Sequence, residues 1–141
     1  MNWISWALLS AFFAGLTAVL AKIGVTGVDS NLATAVRTTI VLLFTWSIAF
    51  CVNPNATSAL SKLSHRAWIF LVLSGVATGL SWLCYFRALQ LGPASRVAPI
   101  DKLSVVLVIL FAAVFLGERL TWGKGIGGLL ILAGVIIAAR D

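Results

Sequence analysis

The chain has 141 residues, of which 61% are hydrophobic and 10% charged, against roughly a quarter charged in an ordinary soluble domain. Too few polar residues are present to cover a water-facing surface, which excludes an ordinary soluble protein and makes the bilayer the solvent. The formal net charge of +6 comes from basic residues scattered singly at segment ends and inside apolar stretches, so no basic run is left to present to nucleic acid.

A spanning helix needs about 20 mostly apolar residues, because each residue rises about 1.5 Å and the hydrocarbon is about 30 Å thick. Stretches at about 3–21, 32–52, 67–91, 94–116 and 122–139 meet that length. The expected fold is therefore an all-α integral membrane protein of five spans, one transmembrane domain over 1–141. The first span follows Met1-Asn2-Trp3, which lacks the basic start of a signal peptide and leads straight into a stretch long enough to span. Gly24, Gly27, Asp29, Ser30 and Asn31 separate it from the second span, with Ser30 or Asn31 as the expected N-cap. The second span carries Arg37 and stops at Asn53-Pro54-Asn55. The polar segment from there to Arg66 reads as the longest loop. In the third span, Ser74, Thr78, Ser81, Trp82 and Tyr85 recur at helical spacing beside Gly75-x-x-x-Gly79, and Arg87 follows near the end. Cys84 lies roughly 25 Å across the membrane from Cys51, beyond disulfide reach.

Gly92-Pro93 ends the third span, since proline disfavours helix at the residue before it. The fourth span holds Pro99, Asp101 and Lys102 in its first half and ends near Gly117. Thr121 is placed to cap the fifth. That last span carries Gly123-x-x-x-Gly127, Gly128, Ala133 and Gly134, a small-residue stripe that permits close backbone approach. It is assigned to assembly, with its own chain or with a partner.

Alternating spans put Lys62, Arg66, Arg119 and Lys124 on the face that carries the N-terminus. The opposite face holds Lys22, Arg96 and Arg140, with Arg37, Arg87 and Lys102 just inside the spans. Such a balance gives no orientation by the positive-inside rule. Either the excess on the second face, counting the residues inside the spans, makes the N-terminus external, or the chain inserts both ways round. Trp3, Trp6, Trp68 and Trp122 fall near the first face and read as half of an aromatic belt.

From Tyr85 onward the chain reads Tyr85-Phe-Arg-Ala-Leu, then Gly92-Pro-Ala-Ser-Arg-Val-Ala-Pro-Ile, then Phe115-Leu-Gly-Glu118-Arg, then Gly127-Gly with Gly134-Val. This ordered set resembles the EamA-like repeat of the drug/metabolite transporter superfamily. Members of that family usually carry ten spans as two five-helix repeats of opposite orientation, and this chain is similar to one repeat standing alone. The resemblance implies secondary transport of small metabolites. One repeat does not enclose a pathway if the architecture needs two inverted halves, so the resemblance and the charge balance both point to an antiparallel, dual-topology homodimer. The alternative is a half-transporter or accessory subunit that needs a different, oppositely oriented chain. The acidic residue that small multidrug exporters use in helix one has no counterpart in the first span here.

A charge inside hydrocarbon costs about 2.5–3.5 kcal/mol on insertion scales, so each one needs a reason. Arg37, Arg87, Asp101 and Lys102 all fall at similar depth. Arg37 and Arg87 either snorkel to the interface or line a cavity. Asp101 is short, and Lys102 beside it points about 100° away on a helix, so Arg87 or Arg37 is its expected partner. The alternatives are a structural ion pair and a substrate or proton site. In the second case a proton taken up by Asp101 would weaken the pair and couple transport to the proton gradient. Pro99 leaves a backbone carbonyl without its donor, which is tolerated at membrane depth where it is buried in protein or lines a cavity. Three basic groups against one acid favour an anionic or zwitterionic substrate. Trp82, Tyr85 and Thr78 either line that cavity or glue helices together. Glu118 beside Arg119 reads as a solvated or capping residue at the interface. No His-Glu-x-x-His or Gly-x-Ser-x-Gly motif occurs, Asp101 is the only acid inside a span, and no cofactor or metal is expected. The expected partners are the lipid bilayer, a small-molecule substrate and a second copy.

Overall fold

Every backbone donor and acceptor inside hydrocarbon must be satisfied within its own segment, so apolar stretches of this length have helix as their open choice. The computed structural model describes residues 2–140; Met1 and Asp141, the ends of the expected domain, lie outside the described residues. Its helices are α1 (Trp3–Gly24), α2 (Ser30–Val52), α3 (Ala56–Ser61), α4 (His65–Leu91), α5 (Ala94–Asp101), α6 (Leu103–Phe115) and α7 (Trp122–Arg140). Five stretches are long and apolar enough to span: α1, α2, α4, the pair α5–α6 as Ala94–Phe115, and α7.

Two compact units divide the chain: one takes the chain up to Ile23 and again from Ala88 onward, the other Gly24–Arg87. In the second unit, α2 starts from Asp29, whose Oδ1 accepts from the N–H groups of Asn31 and Leu32 at 3.0 Å each. The expected cap was one or two residues later; Asp29 wins because one carboxylate oxygen satisfies two orphan donors. Hydroxyls along α2 turn back on their own helix, Thr34 to the Ser30 carbonyl and Thr38 to the Thr34 carbonyl at 2.7 Å each. That bond keeps polar side chains paired inside an apolar span. After Val52 the loop is not wholly irregular: Ala56–Ser61 forms the short helix α3.

In the first unit, α4 ends at Leu91 as Gly92-Pro93 requires. A Cβ on Gly92 would stand 3.3 Å from Val97 Cγ2, so the turn into α5 has little room for a larger residue. Lys22, in the last turn of α1, donates to the carbonyls of Leu89 and, at 2.9 Å, Gly92. The ammonium thus satisfies orphan carbonyls at a helix C-terminus, where a positive charge is favoured. The expected single fourth helix is broken. Lys102 has ψ −7° and its N–H bonds the Pro99 carbonyl at 3.0 Å, a tighter turn that separates α5 from α6. Downstream, α6 closes on Gly117 at φ +66°, with the Glu118 N–H bonding back to the Ala112 carbonyl at 3.1 Å. Thr121 Oγ1 accepts from the Lys124 N–H at 3.3 Å as α7 begins. α7 lies close to both α5 and α6.

Candidate functional site

The best-defined polar feature inside a span lies within the Gly24–Arg87 unit. Arg37 stands one helical turn beyond Thr34 on α2, and its guanidinium carbon lies 4.3 Å from the centre of the Trp82 ring and 5.5 Å from that of Phe86. Trp82 and Phe86 are four residues apart on α4, hence on one face. α2 and α4 meet here through these long side chains. Phe86 is buried, while Trp82, Tyr85 and Arg37 are half-buried.

A cation over an aromatic face is attracted by the ring's negative quadrupole. Stacked in this way, a guanidinium keeps its in-plane N–H edges available, and those edges match a carboxylate or phosphate. The arrangement is a means of holding an arginine cation in an apolar span against two aromatic rings. Neighbouring hydroxyls are already committed as donors: Thr34 bonds its own helix, and Thr78, one turn before Trp82, donates to the Ser74 carbonyl at 2.9 Å. They retain acceptor capacity only.

Sequence reasoning named Arg37 and Trp82 separately, and the structure brings them together. It did not name Phe86, although the four-residue step from Trp82 was a signal. Arg87, four residues before the end of α4, is exposed.

The second charged cluster belongs to the other unit. Asp101 Oδ2 is 3.3 Å from Lys102 Nζ, and the side chains are 36% and 55% exposed respectively. This corrects the expectation that adjacent residues diverge too far to pair and that Arg87 or Arg37 serves instead. Lys102 sits at the break between α5 and α6, so the 100° step of a continuous helix does not apply, and its long stem curls back. Pro99 is half-buried two residues before the acid. Glu118 pairs with Lys124 at 2.9 Å, both exposed.

The glycines of α7 separate into two kinds. A Cβ on Gly128 would stand 3.8 Å from Ile109 Cδ1 of α6, whereas Gly123, Gly127 and Gly134 have nothing within 4 Å. Gly128 therefore faces its own chain, and the other three are uncovered by it. Among the described residues no three His, Cys, Asp or Glu side chains stand close enough to hold a metal ion.

Comparison with known proteins adds the following. A family model described as the EamA-like transporter family matches residues 1–140. A Sinorhizobium protein named "uncharacterized transporter in cobO 3′ region" is 49% identical over 138 residues, 98% of this chain and 96% of that protein. A probable 4-amino-4-deoxy-L-arabinose-phosphoundecaprenol flippase subunit ArnF from Erwinia tasmaniensis is 39% identical over 87 residues, 60% of this chain and 67% of its own length. The similarly named subunit ArnE from an Enterobacter species is 31% identical over 80 residues, 57% of this chain and 75% of its own. No solved structure matches the chain closely enough to count as a relative.

Proposed function

Because the chain belongs to the EamA-like transporter family, matched over residues 1–140, we propose that it carries a small organic anion or zwitterion by alternating access as an antiparallel homodimer. That it is a small multi-pass transporter of a bacterial membrane follows from the family and the five spans. The finer reading rests on one observation above the others: Arg37, inside a spanning helix, is held over the Trp82 ring. A cation is retained at that depth against its insertion cost when it serves a substrate or a partner charge. In this reading Arg37 takes the carboxylate or phosphate and Trp82 backs it. Tyr85 and Thr78 offer polar contacts further along α4. Two inverted copies rock about a cavity between them, built from the first four spans of each.

Asp101 supplies the coupling. Its carboxylate is paired with Lys102 at 3.3 Å, and breaking and remaking that pair is the proposed coupling step. Arg87, near the end of the same α4, adds positive charge at the cavity mouth. Pro99 and the break at Lys102 let the two halves of the fourth span move separately.

The test is uptake into vesicles that contain only this purified chain. Labelled carboxylates, zwitterionic amino acids and organic cations are offered in parallel. Uptake of anions or zwitterions, lost in Arg37→Gln, is expected. Transport of cations, or an unchanged Arg37→Gln protein, overturns the reading.

A second reading has its own support: the ArnE and ArnF relatives carry the word "subunit" in their names. On that reading the chain pairs with a different, oppositely inserted protein. Reporters of inside and outside location, fused in turn after the last residue, separate the two. Signal from both favours the antiparallel homodimer; signal from one favours the unlike partner.

A further inference from the structure

An open groove of about 440 Å³ lies between the end of α2 and α3. Trp46 and Val52 form one wall, with Ala56, Ala59, Leu60 and Leu63 as the other. Ala56, Ala59 and Leu60 share one face of α3 at i, i+3, i+4 spacing, and Leu63 follows just past its end. Thr57, Ser58 and Ser61 occupy the remainder of α3, so this short helix is amphipathic. Such a helix lies at headgroup depth with its apolar side towards the acyl chains. Trp46, which lines the groove, stacks on Phe50 with ring centres 5.3 Å apart.

The neighbouring sequence is charged, and of one sign. Residues 53–66 contain Lys62 and Arg66 and no acid. Lys62 stands between the two groove-lining leucines in sequence. Arg66 is one helical turn beyond Leu63, with its guanidinium 5.9 Å from the Phe70 ring centre. An apolar trough whose lining residues are accompanied in sequence by Lys62 and Arg66 matches a molecule that has a hydrocarbon tail and an anionic head.

We propose that this groove binds an acyl chain of an anionic phospholipid from the surrounding bilayer, with Lys62 and Arg66 meeting its phosphate. Charge selects this occupant. A zwitterionic lipid fills the trough equally well but brings its own cation to the rim. A second copy of this chain brings a further +6. The proposal is independent of the transport reading, and no transport measurement enters its test.

The full chain is stripped of lipid in detergent and mixed with phosphatidylglycerol and phosphatidylcholine of equal chain length at low ionic strength. Bound lipid is then counted by native mass spectrometry. One phosphatidylglycerol retained roughly tenfold over phosphatidylcholine is expected, a modest share of what two surface cations give. Ala59→Trp fills the trough and removes the retained lipid. The double variant Lys62→Gln/Arg66→Gln leaves the trough intact and brings the ratio to about one. Equal retention of the two lipids by the unaltered chain overturns the proposal. So does a preference that survives in the double variant. Should Ala59→Trp fail to fold, the double variant decides, because both its positions are exposed. Loss of a dimer, with lipid retained, in Ala59→Trp would assign the groove to a second copy and equally overturn it.

Discussion

Replacing Arg37 by leucine removes a cation from an apolar span, and with it the contacts over Trp82 and Phe86. The two effects oppose each other. An arginine at the centre of a span costs about 2.5–3.5 kcal/mol. Arg37 lies seven residues beyond Ser30, the start of α2, roughly 10 Å from that end, and its flexible stem reduces the cost to about 2 kcal/mol. The stacked contacts return about 1–2 kcal/mol for a partly desolvated guanidinium. Leucine is therefore expected to leave stability unchanged or to raise it by up to about 1 kcal/mol. Unfolding in mixed micelles, followed by helicity, measures this directly. Transport behaves in the opposite way: losing a hydrogen bond from a charged group removes about 1.5–3 kcal/mol of substrate binding, a drop of roughly 10- to 150-fold. Stability kept and transport lost is the signature of an arginine retained for function. A variant destabilised by more than about 1 kcal/mol would falsify that reasoning and make Arg37 a packing residue.

Asp101→Asn loses a partly exposed ion pair, worth about 0–1 kcal/mol, so its melting changes little. Its transport is expected to lose dependence on external pH, and an unaltered pH profile removes Asp101 from coupling. Pro99→Ala restores a backbone donor inside α5 and is expected to stabilise the chain by up to about 3 kcal/mol. If the break serves movement, the same variant transports more slowly; equal turnover rules that out. Gly127→Leu meets nothing within 4 Å in its own chain, so the monomer folds as before. Cross-linking in membranes is expected to show loss of the dimer, whereas a dimer that persists moves assembly away from this face of α7.

Five spans were legible because length and hydropathy alone determine them, and the stops at Asn53-Pro54 and Gly92-Pro93 needed only turn chemistry. What escaped has a local physical cause in each case. Asp29, Ser30 and Asn31 are all good N-caps standing in a row, and only the geometry in which one oxygen serves two N–H groups chooses Asp29. α3 is too short for its period to stand out, though its apolar residues keep helical spacing. Pro99 was visible as a disturbance, but the turn falls three residues later, and it is this displacement that lets Asp101 reach Lys102. Lys22 was read as one more interfacial charge; that it caps carbonyls some seventy residues away is a property of tertiary contact that no window of sequence contains. Arg37 and Trp82 were each readable as candidates, yet the pairing of a residue on one span with a residue on another has no signature in either period.

The need for a second protein surface can be argued from coverage. No spanning window is more than 11% buried within the chain. In lipid that is no penalty for leucine or phenylalanine, because acyl chains are as apolar as they are. It is a penalty for Arg37, whose guanidinium is covered by Trp82 and Phe86 but must present its remaining edges to protein, water or substrate. A pathway built around it needs walls that complete the surround, and those walls must be polar enough to admit an anion. Gly123, Gly127 and Gly134 leave α7 uncovered where a helix from another protein can approach closely. In the proposed homodimer a copy inserted upside down supplies those walls; the basic residues number four on one face and three on the other, or six with those just inside the spans. An unlike partner satisfies it only by being inserted opposite to this chain, which requires that this chain itself take one orientation. Signal from one terminal reporter alone would remove the self-paired form, and signal from both would remove the need for an unlike partner.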